Sequence, residues 1–311
     1  MQSFFRYPGG KHKFRSTILP MLQDERFLTC EEYREPFCGG GGIGLEMMAA
    51  GNRVWINDRD VGIWALWHSV KHYSDELVDR IMAYTPSIED FAPFKQYLLA
   101  DTKPQCKDEI VETAFRKLVI HQISFSGLGV MSGGPLGGRG QQKCLINSRW
   151  SPGSICKKIR HIHMILGAVK LSNSDYSSLI SDESRHVLLY LDPPYFEKGD
   201  SLYQHGFKLE DHVRLRDLLR ATPHHWILSY DNAEPIRDLY KWADVIEIPA
   251  QYSIAGSITK SELLICPRSY KQLRLAAAKP KLILPPRATP AESPGWEQPV
   301  GGDYGRIGTE K

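Results

Sequence analysis

The chain reads as an α/β fold, an open and mostly parallel sheet covered by helices. Apolar runs of four to six residues, rich in Val, Ile, Leu or aromatics, alternate with longer stretches whose apolar residues recur at helical spacing. The two most distinctive loops also each follow one of these runs, at the strand end where open α/β sheets bind ligands. The candidate strands are 33–37, 53–57, 187–191, 226–230, 245–248 and 262–266. Between them a short helical segment is expected at 45–50. A longer one follows at 108–121, where Ile110, Val111, Ala114, Phe115, Leu118 and Val119 share a face. Another runs through Ile155, Ile159, Ile162 and Leu166 after a Ser151-Pro152 start signal. From Gln122 to Trp150 the periodicity breaks into a long Gly-, Ser- and Arg-containing stretch without an apolar core of its own. Residues 1–271 are expected to form the folded domain, with an inserted region at roughly 71–167, and the Pro- and Gly-rich residues 272–311 a disordered tail.

Composition bounds the function without naming it. The 311 residues are 42% hydrophobic and 24% charged, enough for one large domain. A net charge of +3 permits a nucleic-acid partner without demanding one, so any such contact must come from local basic patches. No apolar run has membrane-spanning length and no secretory signal opens the chain, so a cytoplasmic protein is expected. The six cysteines are scattered with no Cys-x-x-Cys pair, and neither a metal site nor a disulfide framework is expected. His161 and His163 stand two apart on a helix and point to different faces; the His224-His225 pair reads as loop surface. Trp55, Trp64 and Trp67 read as packing residues.

The sharpest signal is Asp192-Pro193-Pro194-Tyr195, directly after the strand at 187–191. An exocyclic amino nitrogen is a poor nucleophile because its lone pair is delocalised into the ring, and acceptors for its two hydrogens favour the tetrahedral geometry that attack requires. Asp192 supplies a carboxylate, Pro193 a backbone carbonyl, and Tyr195 a ring face for stacking, on a loop stiffened by consecutive prolines. The bland alternative is a Pro-Pro turn with a capping Asp. The second signal is Glu35-Pro36-Phe37-Cys38-Gly39-Gly40-Gly41-Gly42, between a strand and a helix. Alone it fits a dinucleotide enzyme or a bare tight turn equally well. About twenty residues on, Asp58 ends the next strand, where a carboxylate accepts from ribose hydroxyls; helix capping is a compatible second role.

With these two motifs in this order the chain resembles the Dam-type DNA adenine-N6 methyltransferases over most of residues 1–267. Arg6-Tyr7-Pro8-Gly9-Gly10-Lys11 is similar to that family's aromatic-x-Gly-Gly-Lys signature, His121 to Leu128 to the opening of its target-recognition region, and Asn173-Ser174-Asp175-Tyr176 to its acidic position near the cofactor's adenine. The resemblance implies a Rossmann-like methyltransferase sheet with one reversed strand and an inserted recognition subdomain. It implies S-adenosyl-L-methionine as cofactor, held by Tyr7, Lys11, Phe37, Gly39, Gly41, Asp58, Asp175 and Asp192. It also implies double-stranded DNA as partner and an adenine flipped into a pocket formed by Asp192, Pro193 and Tyr195. Arg6, Ser126, Arg139, Lys143 and Arg149 are the expected DNA contacts, and Lys157, Lys158 and Arg160 form either a further one or a solvated helix face. Four consecutive glycines and Tyr7 depart from the family's usual Gly-x-Gly and Trp, and the match weakens beyond Leu128, so no target sequence follows. RNA or another amino substrate, a silent DNA-binding protein and a nicotinamide oxidoreductase are the competing readings; the last leaves Asp192 to Tyr195 unexplained.

Overall fold

In the strand β4 (Val187–Leu191) every side chain is buried, with Val187, Leu189 and Leu191 in one apolar cluster and Leu188 and Tyr190 in another. Side chains alternate across a strand, so an unbroken apolar run requires cover on both faces. The computed structural model describes residues 3–5, 11–141, 144–197, 199–250 and 260–268. Tyr7, Arg6, Lys143 and the expected tail at 272–311 lie outside the described residues.

The other strands are β1 (Glu32–Glu35), β2 (Val54–Asn57), β3 (Lys170–Ser172), β5 (His225–Asp231), β6 (Asp244–Ala250) and β7 (Lys260–Cys266). Together they form a seven-stranded sheet in the order β3-β2-β1-β4-β5-β7-β6. Within it only β7 is reversed, antiparallel to both β5 and β6. The α/β expectation with one reversed strand therefore holds. Strand β3 departs from expectation: Lys-Leu-Ser is short and polar, and it pairs with β2 at the sheet edge, where little apolar surface is needed. Strand β1 is buried although three of its four residues are charged. Arg34 makes this possible by donating to Glu32 at 2.5 Å and to the carbonyls of Leu179 and Asp182 at 2.8 and 2.7 Å. The strand ends before Pro36, which has no N–H to give the ladder.

The helices are α1 (Arg15–Leu22), α2 (Gly44–Ala49), α3 (Val61–His72), α4 (Ser74–Met82), α5 (Phe91–Leu99), α6 (Lys107–Ile123), α7 (Pro152–His163), α8 (Ser177–Ser181), α9 (Gly199–Leu202), α10 (Leu209–Ala221) and α11 (Glu234–Leu239). Helices α1 to α7 contribute to the larger cluster on one face, and α8, α10 and α11 to the smaller cluster on the other. All of α3 to α7 falls between β2 and its neighbour β3, and α6 packs along α3. The 122–150 stretch is anchored on the domain core: Ile123, Val130, Leu136 and Ile146 are buried, spaced without periodicity around three single turns of 3-10 helix. His224 is likewise buried rather than loop surface, its Nε2 2.9 Å from the carbonyl of Asp182.

The chain leaves β1 towards β2 on one side, whereas β4 leads to β5 on the other. Between the carboxyl ends of β1 and β4 the strand order reverses, which opens a crevice. Both motif loops end there.

Candidate active site

The sheet delivers Asp192 immediately after the last residue of β4. Lys11, 3% exposed, donates to Asp192 Oδ1 at 2.5 Å and to the Tyr195 hydroxyl at 2.7 Å, and lies 3.9 Å from Glu262 on β7. From the end of β5, Asp231 accepts the backbone N–H groups of Phe196 and Glu197 at 3.0 and 2.9 Å and so fixes the far side of the loop. Burial pushes the Asp192 carboxyl up to about 6, against the pull of Lys11 and helped by Glu262. Tyr195 is not the open stacking face expected. Its ring is buried in the smaller core cluster, and its hydroxyl serves Lys11 instead. Pro193 is buried as well, while Asp192 and Pro194 face the cavity.

The glycine loop is pinned from beneath. Trp67 donates its indole N–H to the Gly39 carbonyl at 2.9 Å, and Gly39 and Gly41 adopt φ of 45° and 63°. A Cβ on Gly41 would stand 2.5 Å from the Trp67 ring, so this position needs glycine on two counts. Asp58 accepts the N–H of Gly39 at 2.8 Å through one oxygen and that of Asp60 at 2.9 Å through the other. Burial, then the adjacent Asp60, raise the Asp58 carboxyl to about 7. Asn57, fully buried at the end of β2, donates to the carbonyls of Pro36 and Ser174 and accepts from Ser172 and Ser174, locking three loops together.

Asp175 lies across the cavity and pairs with Arg214 at 2.7 Å. Burial opposes its charge, but the bonds from Arg214 and Ser177 outweigh that and hold it below the usual carboxylate range. Phe37, Tyr176 and Phe207 gather beside it with ring centroids 5.2 to 5.6 Å apart. One cavity of about 1510 Å³ is lined by Lys11, Phe37, Gly39 to Gly42, Asp58, Asp175 and Asp192, and extends to Ser126, Arg149 and Lys158. Side chains as far apart in sequence as Lys11 and Asp192 thus share one space. Residues 7–254 match the model of the D12 class N6 adenine-specific DNA methyltransferase family.

The chain belongs to that family.

Of the expected DNA contacts, the D12-class chain places Ser126 and Arg149 on the cavity, Ser126 with a φ of 56°. Arg139 is exposed and does not line it. Lys158, one of the basic residues of α7, lines the cavity too. Sequence reading misses Glu35, Glu262 and Arg214. Glu35 is visible as the residue before Pro36, but its burial is not. It is 3% exposed, beside the Tyr33 hydroxyl and the Gly44 backbone. Burial and the nearby Asp192 raise its carboxyl well above the ordinary range, and it lines the cavity. Among the described residues no group of His, Cys, Asp and Glu could hold a metal ion, and no helix is long and apolar enough to cross a membrane.

Proposed function

We propose that this D12-class chain transfers a methyl group from S-adenosyl-L-methionine to the N6 amino group of an adenine flipped out of double-stranded DNA. The observation that carries the reading is the shared cavity: the glycine loop with Asp58 and the Asp192 loop open into the same space. Its residues fit the cofactor. A glycine loop free of Cβ atoms lets a ligand approach the backbone, Asp58 offers carboxylate oxygens to ribose, and the aromatic group of Phe37, Tyr176 and Phe207 with Asp175 suits a purine carrying an amino group. At about 1510 Å³ the cavity exceeds the roughly 300–1,000 Å³ of a typical single-ligand pocket, as a site for a cofactor and a base together requires.

S-adenosyl-L-methionine supplies a methyl group already activated by a positive sulfonium, so the protein's task is to prepare and aim the nitrogen. Asp192 accepts one amino hydrogen and the Pro193 carbonyl the other, which frees the nitrogen lone pair for attack. Lys11 holds Asp192 in position, and Tyr195 and Glu262 hold Lys11. Asp231 keeps the loop from moving away as charge shifts onto the amino group. Ser126, Arg149 and Lys158 at the rim meet the DNA backbone.

Labelled methyl from S-adenosyl-L-methionine should appear in unmethylated duplex DNA and, after digestion, in N6-methyladenine. Label in RNA or protein instead would overturn the substrate, and cofactor binding with no transfer would favour a silent DNA-binding protein. A pH prediction accompanies it. Only the carboxylate of Asp192 can accept, and its raised value of about 6 puts the protonated form in reach of mild acid. Turnover at saturating cofactor and DNA should fall as pH drops through about 6, approaching tenfold per pH unit below it. A flat profile from about pH 5 to 8 would remove Asp192 from that role.

A further inference from the structure

Lys117 lies mid-way along α6 with its side chain 3% exposed, and a lysine so buried requires a partner. It finds Asp60, whose Oδ2 accepts from Lys117 Nζ at 2.5 Å while Oδ1 accepts the N–H of Ile63 and caps α3. Asp60 in turn donates its own backbone N–H to Asp58. The lysine stem passes over Gly62, where a Cβ would stand 2.7 Å from Lys117 Cδ and 3.1 Å from Asp60 Oδ1. The passage is therefore shaped at both ends, and Gly62 is where any side chain would block it.

We propose that Lys117 is a positioning residue for the cofactor site, acting through Asp60 to keep the Asp58 turn in the form that receives ribose. This rests on the reading of Asp58 as the ribose acceptor given above. Two carboxylates so close in sequence and space disfavour each other's charge, and a cation beside them relieves it. Lys117 is the cation that faces this pair. On the same helix His121 stays neutral, pushed down to about 3 by burial and by Lys117. Glu35 at the end of β1 and Cys38 in the loop after it face the same turn, each pushed up chiefly by burial. Arg59, in the turn itself, and Arg214, on α10, are engaged with Asp175 beyond β3. With Asp58 already near 7, removal of Lys117 withdraws a charge that holds it down and raises it further. The same helix runs directly into Ser124, Phe125 and Ser126, so the element that carries this cation also leads to the cavity rim.

The test is S-adenosyl-L-methionine binding by the full chain, measured by calorimetry from about pH 6 to 9. Lys117→Met is expected to weaken binding several-fold at neutral pH, since the charged fraction of Asp58 falls as its titration moves upward, and to recover as pH rises. Adding Asp60→Asn removes the like charge but keeps the cap, and should return binding at neutral pH towards that of the unaltered chain. Should Lys117→Met fail to fold, Asp60→Asn alone decides: it is expected to move the acid limb of binding to lower pH. Profiles of folded Lys117→Met, or of Asp60→Asn, that superimpose on the unaltered chain would overturn the proposal. Undiminished binding by Asp58→Asn would instead overturn the ribose reading on which it rests.

Discussion

Asp192→Ala is expected to lower methyl transfer by at least about 10²-fold, the cost of removing one positioned group that acts on the reacting atoms. Cofactor binding should weaken at most modestly, because the hydrogen bonds that fix the glycine loop run to Asp58 and Trp67 and do not pass through Asp192. The fold should persist, because Lys11 has other partners in Tyr195, at 2.7 Å, and Glu262, at 3.9 Å. Asp192→Asn retains one acceptor oxygen and should fall between the two. Single-turnover rates with cofactor saturation checked by calorimetry separate the effects. Full turnover by the alanine variant would remove the carboxylate from the chemistry.

Gly41→Ala should damage fold and binding together. The new Cβ would meet the Trp67 ring at 2.5 Å, in a backbone conformation of φ 63° that L-residues disfavour. Overpacking costs about 1–3 kcal/mol and the left-handed conformation about 1–2 more. At ~2–4 °C per kcal/mol for a large domain, the unfolding midpoint should drop by roughly 4–20 °C. Because Trp67 also holds the Gly39 carbonyl, its displacement would shift the loop and weaken cofactor binding. Gly42→Ala is the control, since a Cβ there meets nothing within 4 Å. Equal midpoints for Gly41→Ala and Gly42→Ala would show that the Trp67 contact does not constrain the loop.

How far the sequence discloses this site follows from the physics of each part. The strand at 187–191 is legible because full burial demands an unbroken apolar run, and Asp192 is legible because it follows that run. Glu35, Glu262 and Arg214 are not, because burial or pairing of a charged residue depends on partners that lie far away in sequence. Asp192 and Lys11 meet across 181 positions, and nothing local records it. Tyr195 shows the opposite failure: its motif is plain, but which way the ring turns depends on the pull of Lys11 and the packing of the smaller core cluster. Strand β3 escapes notice because an edge strand paired on one side needs no apolar run.

Because β2 and β3 are parallel neighbours, everything from α3 to α7 leaves the sheet at the carboxyl end of one strand and re-enters at the amino end of the next. A segment anchored side by side in this way can be lengthened, shortened or exchanged as a cassette without altering the register of the strands that carry Asp58 and Asp192. Two threads tie the cassette's interior to the chemistry: Trp67 of α3, which holds the Gly39 carbonyl, and Lys117 of α6, which holds Asp60. A graft taken from another protein would have to bring a lysine of its own to Asp60, and a free passage above Gly62 for it to reach through.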